Sequence, residues 1–264
     1  MSEHVSVNFD RAAEYYDATR GWSSEHVRET TEMLAGELHD RGRILEVGVG
    51  TGQVAIPLHE AGVPMAGIDL SAGMLTKLLQ KCDGVAPFPL VRGDATRMPL
   101  ANDAFGGAVL RWVLHLIPDW ESVVRELARV VRPGGVLLVN LGSLRGPWED
   151  IRQRFAAEAG VSADPAGISW GDYDLLGGVL SSLGGTARPL PPLRVENDEP
   201  LGDFIDGIEG NRYSWTWPVP DDTLHRVARE VRGWAEERFG ALDEVYPFVF
   251  EVGWYAYDLA NRPR

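Results

Sequence analysis

The sequence predicts an α/β fold class, a doubly wound and mostly parallel sheet with helical cap elements, and three observations carry that expectation. Short β-branched runs alternate with amphipathic stretches from Arg43 to Asn140, the pattern of βαβ units. One of these runs enters a glycine-rich turn that opens a further amphipathic stretch. The run after it ends on an acid, Asp69.

The expected strands are Arg43 to Val49, Pro64 to Leu70, Phe88 to Val91, Gly106 to Leu110 and Gly135 to Leu141. Between Pro118 and Arg132 the apolar residues Trp120, Val123, Val124, Leu127 and Val131 recur at helical spacing, and Pro133-Gly134-Gly135 ends that helix. Crossovers between parallel strands are right-handed almost without exception, so the doubly wound arrangement is the economical topology. Beyond Leu144 the alternation fails. The chain there passes through helical stretches, the Pro-rich Arg188 to Leu193, a helix near Asp221 to Phe239 and a last run, Tyr246 to Tyr257, that reads as a strand. Six of the nine tryptophans lie in this half (Trp148, Trp170, Trp215, Trp217, Trp234, Trp254), so it has large apolar surfaces to cover. The expected organisation is a single domain: residues 1-40 as an N-terminal helical lid, 41-145 as the ligand-binding core, and 146-264 as a substrate cap with the last strands.

Composition removes several function classes. At 264 residues one large α/β domain with a sizeable core is expected, and no apolar stretch approaches the ~20 residues needed to cross a bilayer. The first residues show neither a basic start nor an apolar run before a cleavage site, so a cytoplasmic location is the default. Cys82 is the only cysteine, which rules out an intrachain disulfide or a thiolate cluster. With 25 basic and 39 acidic residues the net charge is −14, and a phosphate polyanion is repelled at long range. Nucleic acid is therefore a disfavoured partner. The oligomeric state is not legible.

The most informative segment is Ile44-Leu45-Glu46-Val47-Gly48-Val49-Gly50-Thr51-Gly52-Gln53. It reads as a buried strand, a tight turn and a helix start. Glycines at alternate positions let the backbone take conformations closed to other residues and let a ligand approach the main chain. In a doubly wound sheet, ligands bind in the crevice outside the carboxyl ends of the strands, where this turn lies. Asp69 ends the neighbouring run Ala66-Gly67-Ile68-Asp69, and a carboxylate there can accept hydrogen bonds from both hydroxyls of a ribose. Nicotinamide enzymes use G-x-G-x-x-G/A, whereas here position 53 is Gln and the third glycine comes one residue early, at Gly52. That spacing suits a ligand with ribose and adenine but no pyrophosphate.

Glu46-x-Gly48-x-Gly50-x-Gly52 with Gly67-Ile68-Asp69 resembles the class I, Rossmann-like S-adenosylmethionine-dependent methyltransferases, small-molecule branch. Val91-Arg92-Gly93-Asp94-Ala95, the loop His115-Leu116-Ile117-Pro118-Asp119-Trp120 and the stretch Glu126 to Gly135 are similar to later motifs of that family. Phe9-Asp10-Arg11-Ala12-Ala13-x-x-Tyr16-Asp17-x-x-Arg20 is similar to its N-terminal segment, which closes over the cofactor. The likeness covers residues 9 to about 142. It implies a seven-stranded sheet, S-adenosylmethionine as cofactor with S-adenosylhomocysteine as product, and transfer of the sulfonium methyl to an O, N or C nucleophile of a small-molecule acceptor.

The resemblance further implies that the backbone at Gly48, Gly50 and Gly52 contacts the methionine part and ribose, with Glu46 supporting the amino group. Asp69 with Leu70 would hold the ribose, and Asp94 with Ala95 the adenine. Tyr16 and Arg20 would close the lid and pair with the carboxylate. Arg111 and Trp112, at the end of the fourth strand, could line the pocket, or Arg111 could pair with a neighbouring acid. His115 lies past that strand on the side where the methyl should point, and as the candidate catalytic residue it could take a proton from the acceptor near neutral pH.

Four other readings stand beside this one. Gly167-Ile168-Ser169-Trp170-Gly171 matches a G-x-S-x-G nucleophile elbow, but the preceding Ala163-Asp164-Pro165-Ala166 is unsuited to the strand that elbow needs. No H-E-x-x-H or comparable ligand spacing exists, so no metal is expected. An NAD-dependent oxidoreductase is opposed mainly by Gln53. A module that binds the cofactor without transferring a methyl group is the remaining alternative.

Overall fold

A computed structural model describes residues 6–142, 145–197 and 199–261. The described residues fall into two compact units. One comprises Met1–Gly142, Ala166–Leu193 and Gly253–Arg264, and the other Ser143–Pro165 and Arg194–Val252.

The first unit holds a seven-stranded sheet. Its strands are β1 (Ile44–Val47), β2 (Met65–Asp69), β3 (Leu90–Arg92), β4 (Phe105–Arg111), β5 (Val131–Asn140), β6 (Gly185–Pro189) and β9 (Tyr255–Leu259); β7 (Leu193–Glu196) and β8 (Val249–Val252) pair elsewhere. The order is β3-β2-β1-β4-β5-β9-β6. The first five strands run parallel, and β9 runs antiparallel between β5 and β6. The sheet is thus mostly parallel and doubly wound, as the alternating runs predict. β1 and β4 are buried along their whole length, as strands covered on both faces are, and each carries one charged residue among apolar ones and glycines, Glu46 and Arg111.

Two short helices, α1 (Tyr16–Arg20) and α2 (Ser24–Leu38), precede the sheet, and α3 (Ala55–Glu60), α4 (Ala72–Lys81) and α5 (Trp120–Val130) join the parallel strands. Ser71 caps α4 by accepting from the Met74 amide, and Asp119 stands at the start of α5. α5 ends two residues before the expected Arg132, because Val131 leaves the helix to pair with Phe105 ahead of a bulge in β4–β5. α7 (Tyr173–Ser182) packs on β6 and β9.

One sequence reading needs correction. Tyr246 to Tyr257 is not one strand. Gly253 and Trp254 divide it into β8 and β9, which belong to different sheets. The stretch around the Pro-rich Arg188 to Leu193 contains β6, whose Pro189 is tolerated because β6 pairs only with β9 and forms the sheet's edge.

The second unit contains α6 (Pro147–Ala159), α8 (Leu201–Glu209), α9 (Asp221–Phe239) and the β7–β8 ribbon. Its core joins Ile151, Phe155, Ile205, Ile208 and Val227, and Trp148, Trp215 and Trp234 pack against it. Among the described residues no helix is long and apolar enough to cross a membrane.

Candidate functional site

The site is built at the carboxyl ends of β1, β2 and β4, where the strand order reverses around β1. The turn after β1 needs its glycines. Gly48 and Gly52 sit at φ +71° and +81°, and a Cβ on either would meet a side chain at 2.7 Å, Val113 in the first case and Ile56 in the second. Gly50 lies at φ +53° and donates its amide to Asp69 Oδ2 at 2.8 Å. The other oxygen of Asp69 accepts from the Ser71 amide at 2.8 Å, so the carboxylate fastens the two turns together. Burial pushes the Asp69 carboxyl up, against the two amide bonds that favour its charged form.

These turns border a cleft with about 670 Å³ of empty space, part of it open to solvent. Gly48, Gly50, Asp69 and Leu70 line it beside Ile68 and Met74. Asp94 and Ala95 line it from the turn after β3, and Tyr16, Arg111 and Trp112 from the side of α1 and β4. The Asp94 carboxylate is engaged locally, accepting from the Thr96 amide and hydroxyl at 2.9 Å each.

Four of the expected residues do not line this cleft. Gly52 shapes the turn from behind. Glu46 is buried on β1, 3% exposed, with Oε2 lacking a partner among the described residues, and burial drives its carboxyl well up while the Arg111 charge opposes that shift. Arg20 closes α1, donating to the Thr19 carbonyl at 3.1 Å. His115 sits in a short 3₁₀ turn, Leu114–Leu116, only 7% exposed, with its ring 4.0 Å from that of Trp170. Burial, with a smaller contribution from the Arg20 charge, lowers its pKa to about 3. It is a neutral core imidazole in this structure. Ser169 lies in a loop that no strand precedes, so the nucleophile-elbow reading finds no support there.

Other contacts were not anticipated. Asp10 accepts from the Ser71 hydroxyl and from the Gly73 amide at 2.8 Å. Asp17 accepts from the Thr51 hydroxyl at 2.6 Å and from Gln53 Nε2 at 2.9 Å, and pairs with Lys81 at 2.7 Å. Two acids thus pin the N-terminal segment to the turns after β1 and β2. Their signal was present in the quoted N-terminal motif, but spacing does not reveal where an acid will find its donors. Arg111 is the third case. Its guanidinium lies 3.6 Å from the ring centre of Trp22 and 4.0 Å from that of Trp112, and Nη1 donates to Gln53 Oε1 at 2.6 Å.

A family model described as a methyltransferase domain matches residues 45–139, which span β1 to β5. Phosphatidylethanolamine N-methyltransferase of Cereibacter sphaeroides is 38% identical over 158 residues, 58% of this chain and 75% of that protein. The chain belongs to the S-adenosylmethionine-dependent methyltransferases. Demethylmenaquinone methyltransferase of Mycolicibacterium paratuberculosis is 32% identical over 51% of the chain and 58% of that enzyme. A Haemonchus contortus N-methyltransferase solved with phosphomonomethylethanolamine and S-adenosylhomocysteine shares the fold at 16% identity, with a TM-score of 0.55 over 96% of this chain and 58% of that one. The enzyme is therefore a methyltransferase that uses S-adenosylmethionine, which sets aside the nicotinamide and hydrolase readings. The methyltransferase core keeps its glycine turn, acid and cleft wholly within the first unit. Among the described residues no group of three or more His, Cys, Asp or Glu side chains is placed to hold a metal ion.

Proposed function

We propose that the cleft at the ends of β1, β2 and β4 holds S-adenosylmethionine, and that the enzyme methylates a small molecule with an apolar body. The observation that carries the placement is Asp69. Its carboxylate is half-buried, lines the cleft and already receives the amides of Gly50 and Ser71, so it is fixed in position with lone pairs remaining for the two ribose hydroxyls. Asp94 and Ala95 would border the adenine, the Gly48–Gly52 turn would lie under the amino-acid chain, and Tyr16 would cover it from the lid. Arg111 borders the same cleft, with two nitrogens that have no partner among the described residues.

S-adenosylmethionine supplies a sulfonium methyl group that leaves with a neutral thioether, so the leaving group needs no acid. The protein's part is to hold the acceptor in line and to keep water out, and effects of this kind are worth several kcal/mol. His115 has no place in that scheme, since it is buried under Trp170 with its pKa near 3. The acceptor nucleophile would arrive as an amine free base, a hydroxyl or an activated carbon.

A small acceptor accords with the relatives' names, which specify phosphatidylethanolamine and demethylmenaquinone, and with the net charge of −14, which disfavours a polyanion. A thermal-shift titration with S-adenosylhomocysteine and NAD tests the cleft. Saturation at a hundredfold over the dissociation constant stabilises by about 2.7 kcal/mol, and the expected outcome is a rise with S-adenosylhomocysteine alone. A rise with NAD in its place would overturn the placement. Radiolabelled methyl transfer to ethanolamine lipids and to quinols, against RNA as control, then tests the acceptor class.

A further inference from the structure

Gln53 is the residue at which the glycine turn departs from the nicotinamide pattern, and its side chain has two charged partners. Its Oε1 accepts from Arg111 Nη1 at 2.6 Å, and its Nε2 donates to Asp17 Oδ1 at 2.9 Å. A guanidinium only donates and a carboxylate only accepts, so a single orientation of the amide satisfies both. In that orientation the carbonyl end faces the cation and the NH2 end faces the anion, so each bond polarises the other. The Gly or Ala that the nicotinamide pattern places here would reach neither partner.

Arg111 and Asp17 share no hydrogen bond or ion pair of their own among the described residues. Arg111 ends β4 and is 8% exposed. Asp17 stands in the first turn of α1, where it also accepts from Thr51 and pairs with Lys81, and Lys81 donates in turn to the Thr51 carbonyl at 2.9 Å. Desolvation works against the charge of Asp17, yet the bonds from Gln53, Lys81 and Thr51 hold its carboxyl below the ordinary value. Both ends of the bridge border the cleft, Arg111 directly and Asp17 through its neighbour Tyr16.

We propose that Gln53 is a positioning residue, which fastens α1 to the end of β4 so that the N-terminal segment and Arg111 settle beside the cleft together. Gln53 does not line the cleft; it acts through the two residues it joins. A rival route for the same coupling runs through Trp22, two residues after α1, whose ring centre lies 3.6 Å from the Arg111 guanidinium. The effect on the cofactor rests on the placement in the previous section, whereas the fastening itself does not.

The test is hydrogen exchange of the α1 amides in the ligand-free protein, followed by calorimetry with S-adenosylhomocysteine. In Q53E the bond to Arg111 survives but two carboxylates meet at Asp17, so α1 exchange should quicken about tenfold. In D17N/Q53E the amide stands at position 17 and the carboxylate at 53, so donor and acceptor change places and the bond re-forms. Exchange should then slow by more than about threefold relative to Q53E, beyond any change that D17N makes alone. Without that rescue the proposal is overturned, because a merely steric role for Gln53 predicts additive losses. R111M, which keeps a long side chain beside Trp22 but no donor, is compared in the wild-type and Q53L backgrounds. It should quicken α1 exchange about threefold or more in the first and leave it unchanged in the second. An equal effect in both would assign the coupling to Trp22 and refute the bridge. Should R111M or Q53L not fold, the rescue decides alone. S-adenosylhomocysteine affinity should fall in Q53E and return in D17N/Q53E, and a flat affinity would refute the positioning role. If the wild type binds no S-adenosylhomocysteine, the cofactor placement fails, while the exchange result still judges the bridge.

Discussion

A carboxylate that takes two backbone amides before any ligand arrives is a fixed point, and Asp69 has that role. In D69A the Gly50 and Ser71 amides lose their acceptor and the diol loses its own. S-adenosylhomocysteine affinity should fall a hundredfold or more, about 3 kcal/mol, as read by calorimetry. His115 makes a different prediction. Its folded pKa, about 3, lies below the ordinary value, so the folded state refuses a proton that the unfolded chain accepts. Its contribution to stability is whole above pH 6.5 and is lost as the pH falls toward 3. Between pH 6.5 and 5 the loss is about 2 kcal/mol. H115F keeps the ring contact with Trp170 and should lack that loss, so urea unfolding of the two proteins should diverge on acidification. Parallel profiles would show that the imidazole is not buried as described. Turnover of H115F at pH 7 should stay within about threefold of the wild type.

At the level of elements, the N-terminal segment is held by side chains more than by strand pairing. Asp10 binds the start of α4, and Asp17 reaches Thr51, Gln53 and Lys81. Val7 adds a single backbone bond to Leu116. Because this segment borders the cleft through Phe9 and Tyr16, releasing it should weaken ligand binding without disturbing the sheet. D10A with D17A is expected to lower S-adenosylhomocysteine affinity about tenfold, or ~1.4 kcal/mol, and to expose the bonds after Arg11 and Arg20 to trypsin. Wild type saturated with ligand should resist that cleavage. Equal cleavage of both proteins would mean that the two acids do not hold the segment.

For the whole molecule, the useful division is between the unit that carries the cleft and the unit that does not. Phe155 is fully buried in the second unit's core, among Ile151, Ile205 and Trp215. F155A should cost about 3–5 kcal/mol where it sits, by lost transfer energy and the cavity left behind. S-adenosylhomocysteine affinity should change less than twofold, since every residue assigned to the cofactor lies in the first unit. A large loss of affinity in a folded F155A protein would refute that separation.

Much of the first unit could be read from residue order alone. Strand, glycine turn and terminal acid are local patterns, and Gly48, Gly50, Gly52 and Asp69 announce themselves because backbone conformation and strand ends are decided by neighbours in the chain. The division of Tyr246 to Tyr257 between two sheets was not legible, because the run's β-forming residues give no sign of which partner each half will meet. Nor was the burial of His115, which depends on Trp170, fifty-five positions later, closing over its ring. The contact of Arg111 with Trp22 and its bond to Gln53 join three separate stretches only once the segment before α2, the end of the glycine turn and β4 have packed. By itself, then, the sequence determined the sheet, its crevice and the class of cofactor. Tertiary structure alone decided which charges are buried and which are paired, because those depend on residues brought together across the fold.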